Sequence, residues 1–249
     1  PTRRSSDLAH IPWGAINLAV VLMGVTGLYL VSRQWDVFTS TLLDSLTLQG
    51  LLGYMAALVL AKILHELGHA LMATHMGVKV GHMGVAFVVL FPMLYTDTSE
   101  SWKLTDSRQR LLIASGGILT ELALAVVCTF LWAITPDGGL RNGLFFLATL
   151  SWVLTLAINF SPFMRFDGYF ILSDYLALPN LHQRSTALAQ VWIRRHLLGL
   201  QQPWPEALSA KKRRGLISFA IITWLYRLIV FLGIALLVYH FFFKVLGIF

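Results

Sequence analysis

Histidine, glutamate and histidine stand at positions 65, 66 and 69 of a 249-residue chain, within Ala61-Lys62-Ile63-Leu64-His65-Glu66-Leu67-Gly68-His69. On an α-helix, positions four apart differ by about 40° around the axis, so the imidazoles of His65 and His69 face one point. Two imidazoles so placed can bind zinc, and the intervening Glu66 can act as general base toward water that the metal activates. The motif lies in an apolar stretch long enough to cross a bilayer. Each ionisable group at the bilayer centre costs about 2.5–3.5 kcal/mol on insertion scales, so two histidines and a glutamate together there need a reason. A polar cluster that only holds helices together is the other reading of the motif.

A catalytic zinc takes three protein ligands and leaves a position for water. His75 follows His69 by six residues, a spacing known from zinc sites in which a glycine bends the helix, but Met72 stands where that glycine would be. On an unbroken helix His75 points about 120° away from His69 and marks the helix end near the headgroups. His82 is a similar outsider. Asp167 is the better candidate, in the stretch Asn159-Phe160-Ser161-Pro162-Phe163-Met164-Arg165-Phe166-Asp167-Gly168-Tyr169. Pro162 breaks a helix there and Gly168 permits close backbone approach. The other reading of Asp167 is a surface ion pair with Arg165.

The elements that must position these groups follow from composition. Apolar residues make up 57% of the chain and charged residues 12%, about half the roughly 25% of a soluble domain. With a mean hydropathy of +0.70, a soluble domain of this size cannot hide its apolar surface, so lipid must take part of it. This excludes a water-soluble globular enzyme, a disordered chain and a nucleic-acid-binding module. The net charge of +7 therefore calls for a membrane reading, and the single Cys128 cannot form an intrachain disulfide.

Five stretches have the length of a spanning helix, roughly 11–31, 51–75, 109–134, 143–160 and 215–242. Thr135-Pro136-Asp137-Gly138-Gly139 makes a tight turn between the third and fourth. Residues 78–95 are rich in Val, Phe and Gly, too short to span, and read as strands or a re-entrant piece. Residues 185–200 set Leu188, Val191, Trp192, Ile193, Leu197 and Leu198 beside Arg194 and Arg195, which predicts an amphipathic helix in the membrane interface, with a plain buried helix as the alternative. The fold expected is an all-α polytopic membrane protein of about five transmembrane helices, with a short strand-like or re-entrant segment after the second and an interfacial amphipathic helix before the fifth.

Lysine and arginine alternate across the gaps. Gap 32–50 holds Arg33 and gap 135–142 holds Arg141, whereas gap 76–108 holds Lys79, Lys103 and Arg108, and gap 161–214 holds Arg165, Arg184, Arg194, Arg195, Lys211, Lys212, Arg213 and Arg214. The richer gaps are cytoplasmic by the positive-inside rule, which puts the end of span two and the end of span four on one side. His65, His69 and Asp167 can then meet.

His-Glu-Leu-Gly-His in one membrane helix, followed about 100 residues later by Asn159, Pro162 and Asp167-Gly168, resembles the site-2 protease family of intramembrane zinc metalloproteases. The resemblance implies that His65, His69 and Asp167 bind one Zn2+ per chain, that Glu66 is the catalytic base, and that Asn159 is catalytic through holding the substrate or its oxyanion. Two positions depart from the family pattern: Pro does not directly follow Asn159, and Phe166 stands where Leu is usual. The run from Asp167 to Tyr175, Pro179-Asn180-Leu181, Tyr95-Thr96-Asp97 with Trp102, and Gly117 with Glu121 are similar to the bacterial branch of peptide zinc metalloproteases, often joined to an export adaptor domain. What this implies is a zinc-dependent endopeptidase in the bacterial inner membrane, its site toward the cytoplasmic side. Its substrates would be membrane-associated or exported peptides, its surroundings the lipid bilayer, and its further partner an export-system adaptor, with no nucleic acid. The rival is a non-catalytic transport or assembly component that retains a zinc site.

Remaining residues carry open readings. Glu121 in span three either bonds near the site or ties helices together; Asp97 caps a turn or touches the surroundings of the metal site; Arg227 in span five snorkels, pairs with an acid or lines a cavity. Residues 1–8, Pro1-Thr2-Arg3-Arg4-Ser5-Ser6-Asp7-Leu8, look like a translated sequencing adapter and are expected to be a non-native leader. Residues 9–249 are expected to be one membrane-embedded metalloprotease domain, truncated at one or both ends, the natural chain continuing past Phe249.

Overall fold

The computed structural model describes residues 13–45, 47–88 and 91–245. The leader expected at 1–8 lies outside them. Helices α1 (Trp13–Arg33), α2 (Trp35–Asp44) and α3 (Leu48–His75) precede strands β1 (Met83–Val88) and β2 (Phe91–Thr96). A 3₁₀ turn, Ser99–Lys103, leads into α4 (Ser107–Ile134), and α5 (Gly139–Val153) runs on into a π-helical segment, Leu154–Asn159. The rest is α6 (Asp167–Tyr175), α7 (Leu181–Leu197) and α8 (Ala210–Val245). Among the described residues, five helices are long and apolar enough to cross a membrane, Gly14–Arg33, Leu48–His75, Ser107–Ile134, Gly139–Asn159 and Ala210–His240, and the protein is an integral membrane protein. Leu18, Val21, Leu22 and Val25 on α1, and Leu225, Leu228, Ile229 and Phe231 on α8, are more than half exposed, a surface that suits hydrocarbon rather than water.

Local chemistry sets the helix ends. The Thr47 hydroxyl caps α3 by accepting from Gly50 N at 3.1 Å, and the Asp106 carboxylate caps α4 by accepting from Arg108 N at 2.9 Å. Helix α3 ends in a Schellman turn: Gly77 takes φ +76°, Val78 N donates to Ala73 O at 2.9 Å, and Gly77 N donates to Thr74 O at 3.0 Å. Pro136 drives Thr135 into extended backbone, which stops α4 and opens the tight turn into α5.

The chain forms two compact units, Pro1–Ser161 with Phe166–Ile171, and Pro162–Arg165 with Leu172–Phe249. In the first, α4 is central and packs against α1, α3 and α5. Val31, Trp132, Ala133 and Phe145 form one buried cluster, and Ala73, Val78 and Ile113 another. Within a bilayer such burial contributes close packing and polar ties rather than a hydrophobic driving force. The ties here include Tyr54 Oη with Thr149 Oγ1 at 3.2 Å, and Trp152 Nε1 donating to Thr129 Oγ1 at 3.0 Å.

The strand-like reading of 78–95 holds as a hairpin in the first unit: β1 and β2 are antiparallel, with Met83 opposite Thr96 and Val88 opposite Phe91. Thr96 Oγ1 donates to Glu66 O at 3.0 Å, which fastens the hairpin to α3 at the histidine motif. Helix α2 lies within gap 32–50, where the sequence predicts only a connection.

In the second unit α7 packs against α8 and buries Leu188, Ala189 and Val191, while Leu197 and Leu198 stay exposed beyond Arg194 and Arg195. Arg227 Nε donates to Phe163 O at 3.1 Å, and Arg227 Nη2 lies 3.3 Å from His182 Nδ1. The Arg227 guanidinium thus holds a backbone carbonyl. Asp97 is a turn cap, with Oδ1 accepting from Ser99 N at 3.0 Å.

A candidate metal centre

The site forms in the first unit, where α3, α4, the π-helical segment and the start of α6 converge. Helical spacing places His65 and His69 on one side of α3, their ring centroids 4.8 Å apart. Asp167 opens α6, and Gly168 behind it lets the backbone close in, because a Cβ there would sit 2.4 Å from Phe160 O. His65 Nε2 and His69 Nε2 are 3.2 Å apart, and Asp167 Oδ2 lies 3.1 Å from the first and 3.3 Å from the second. Among the described residues, these three are the group of His, Cys, Asp and Glu able to hold a metal ion. His75 at the end of α3 and the exposed His82, 3.7 Å from Asp97 Oδ2, stand outside it.

The geometry suits a small divalent cation. Ligand atoms about 2.0–2.1 Å from a tetrahedral zinc lie about 3.3 Å from one another, close to the spacings here. Asp167 Oδ2 is buried yet has no aligned hydrogen bond, so its lone pairs are left for another partner. His69 Nδ1 lies 2.9 Å from Ile113 O, an acceptor, so the proton sits on Nδ1 and the lone pair on Nε2. Burial would raise the Asp167 carboxyl, but the imidazoles of His65 and His69 outweigh it and hold the group well below the usual carboxylate range.

Behind His65 stands Glu121, fully buried on α4. Its Oε1 lies 3.0 Å from His65 Nδ1 and accepts from Lys62 Nζ at 3.1 Å; its Oε2 accepts from Asn159 Nδ2 at 2.6 Å and Thr155 Oγ1 at 3.2 Å. The contact with His65 is close but bent away from a straight hydrogen bond. Lys62 offsets the charge of Glu121, which leaves Asp167 as the charge facing the two ring nitrogens. Asn159, expected to hold substrate, is 2% exposed and its amide nitrogen faces Glu121. Glu66 is half-buried on α3, and its carboxylate makes no hydrogen bond or ion pair with the described residues.

Gly117 on α4 faces both rings. A Cβ built there would lie 2.4 Å from His65 Cε1 and 2.5 Å from His69 Nε2. Lys62 and Thr155 join the site through Glu121 without being candidates from the sequence. The signal for Lys62 was present, since a cation inside a span is itself a mark of function; Thr155 gave none.

Residues 53–137 match the model of Peptidase family M50. The match takes in His65, Glu66, His69, Gly117 and Glu121, while Asn159 and Asp167 lie beyond it. No curated protein and no solved structure matches the chain. With a motif helix, a metal-capable cluster and five candidate spans, the chain carries over residues 53–137 a domain of Peptidase family M50, the site-2 protease family of intramembrane zinc metalloproteases.

Proposed function

We propose that this protein is a zinc-dependent endopeptidase that hydrolyses peptide bonds of membrane-associated or exported peptides within or near the bilayer. One Zn2+ per chain is held by His65, His69 and Asp167. The observation that carries this reading is the convergence of their three ligand atoms, 3.1 to 3.3 Å apart, around a buried carboxylate oxygen without an aligned hydrogen bond. When bound, zinc supplies Lewis-acid polarisation of water and of the scissile carbonyl.

Glu66 is the general base. It stands between the two histidines on α3, and its carboxylate is not engaged by any described residue, so an Oε atom is free to take the proton of the attacking water and return it to the leaving amide nitrogen. A helix hides its carbonyls, so a substrate must be locally extended to be cut. The hairpin tied to Glu66 O through Thr96 supports the reading that an extended peptide lies along its edge by β-augmentation. The lysine and arginine alternation supports a site toward the cytoplasm, and the bacterial plasma membrane is what the family resemblance implies. An export-system adaptor fits the exported-peptide class as a further partner.

The test is zinc content and cleavage of a candidate membrane peptide by wild type and by Glu66→Gln. Both should bind about one zinc per chain, and the variant should lose about 10²–10⁴-fold in rate. Zinc-replete Glu66→Gln that still cleaves would remove Glu66 from its role; wild type without zinc would remove the metal reading.

A further inference from the structure

We propose that Glu121 is a positioning residue that orients the His65 imidazole toward the metal, and that Lys62, Thr155 and Asn159 hold Glu121 in place for that task. The inference rests on the reading of His65 as a zinc ligand. Glu121 is fully buried inside a spanning helix, where an isolated carboxylate is costly, and each of its oxygens faces two nitrogen or hydroxyl groups. Lys62 has only protons to give, so it fixes Oε1 as an acceptor. His65 Nδ1 lies 3.0 Å from that acceptor, which favours the tautomer with the proton on Nδ1 and the lone pair on Nε2, the atom beside Asp167.

The second oxygen is held by an unusual piece of backbone. After α5 the helix widens, and Phe160 N donates to Thr155 O at 2.9 Å, five residues back rather than four. Thr155 and Asn159 both turn to Glu121 Oε2 from this segment. A simple tie between helices would need only Lys62 and Glu121. It would not explain why the carboxylate also stands behind a metal-capable histidine, or why Asn159 gives its amide to it. The two histidines are thus oriented by different devices: His69 by the Ile113 carbonyl, His65 by a charged side chain. Asn159 on this view acts through Glu121 and His65 rather than by holding the substrate.

The experiment measures zinc affinity by chelator competition, and the visible absorption of the Co2+ form, on the full chain in detergent. Glu121→Gln should bind zinc about 10–100-fold more weakly and shift the Co2+ bands, as removal of an outer carboxylate does in other zinc sites. Asn159→Ala should change both in the same direction and by less. Glu121→Gln leaves the Lys62 charge without its partner, so Lys62→Met/Glu121→Gln is the control for folding. That double variant should melt near wild type yet keep the weak zinc binding and the altered bands. If it regains wild-type zinc affinity and wild-type bands, Glu121 is only a tie between helices and the proposal is overturned. Wild type that binds no zinc, or Asp167→Ala that binds it as wild type does, would overturn the ligand reading, and the proposal with it.

Discussion

Gly117 has no side chain, and the two histidines opposite depend on that. Any Cβ at this position enters the space of both rings, 2.4 Å from His65 Cε1 and 2.5 Å from His69 Nε2. The rings cannot retreat freely, because His69 Nδ1 is engaged by Ile113 O and His65 Nδ1 stands against Glu121. Gly117→Ala should therefore displace one or both ring nitrogens, at a cost of about 1–3 kcal/mol for overpacking. A loss of that size, felt at the metal, weakens zinc binding about 5- to 150-fold. Chelator competition on the purified variant measures it, and unchanged affinity would show that the rings move aside without penalty. In sequence Gly117 stood out only through a resemblance; nothing in its own neighbourhood showed that two imidazoles lie against it.

At the scale of elements, the turn at 162–165 is gripped from α7 and α8. His182 Nε2 donates to Pro162 O at 3.1 Å, Arg227 Nε donates to Phe163 O at 3.1 Å, and Phe163 packs against Phe219 and Tyr226. Burial pushes the His182 imidazole below its ordinary value of 6.5, with the cations Arg227 and Arg165 adding to the effect and the Pro162 carbonyl offsetting part of it. His182 is then neutral in the fold, while in the unfolded chain it takes a proton near pH 6.5. The unfolded state thus binds more protons as the pH falls below that value. The stability due to a neutral His182 is present above about pH 6.5 and is lost progressively below it. His182→Gln keeps a donor for the Pro162 carbonyl and does not titrate. Thermal melts of both proteins between pH 7.5 and pH 5.5 should show wild type losing ground to the variant as the solution is acidified; a gap that does not change with pH would refute the assignment. The spans themselves were legible, because about 20 apolar residues in a row admit few other structures in a membrane. Helix α2 and the π-helical widening at Leu154–Asn159 were not, since the first is short and the second differs from an α-helix only in where its hydrogen bonds go.

For the whole molecule, α4 decides the sidedness of the first unit. Its 28 residues rise about 1.5 Å each, about 42 Å in all, more than the roughly 30 Å of a hydrocarbon core. Lys103 near its start and Gly139 just past its end are therefore on opposite faces, and both are exposed. Lysine and arginine gather at the Lys103 end, so the positive-inside rule predicts a cytoplasmic position for it. In a Cys128→Ser background, a membrane-impermeant thiol reagent should label Lys103→Cys only from the cytoplasmic side and Gly139→Cys only from the other. Labelling of Gly139→Cys from the cytoplasm alone would invert the topology and move the proposed site to the other face.

By itself the sequence determined that the chain crosses a membrane, where it does so, and that one span carries two histidines facing a common point. These properties are local: apolar length and helical period act within one segment, so spacing along the chain is enough to read them. It also pointed to Asp167 over His75 as the third group, by the absence of a bend at Met72. Only the tertiary structure decided that Asp167 Oδ2 comes within 3.3 Å of both imidazoles, that Lys62 and Glu121 pair behind them, and that the Asn159 amide faces Glu121. Those contacts depend on how each helix is rotated and how closely it approaches its neighbours. Both are set by packing at positions such as Gly117 and Gly168, where a missing side chain leaves no local mark on the sequence around it.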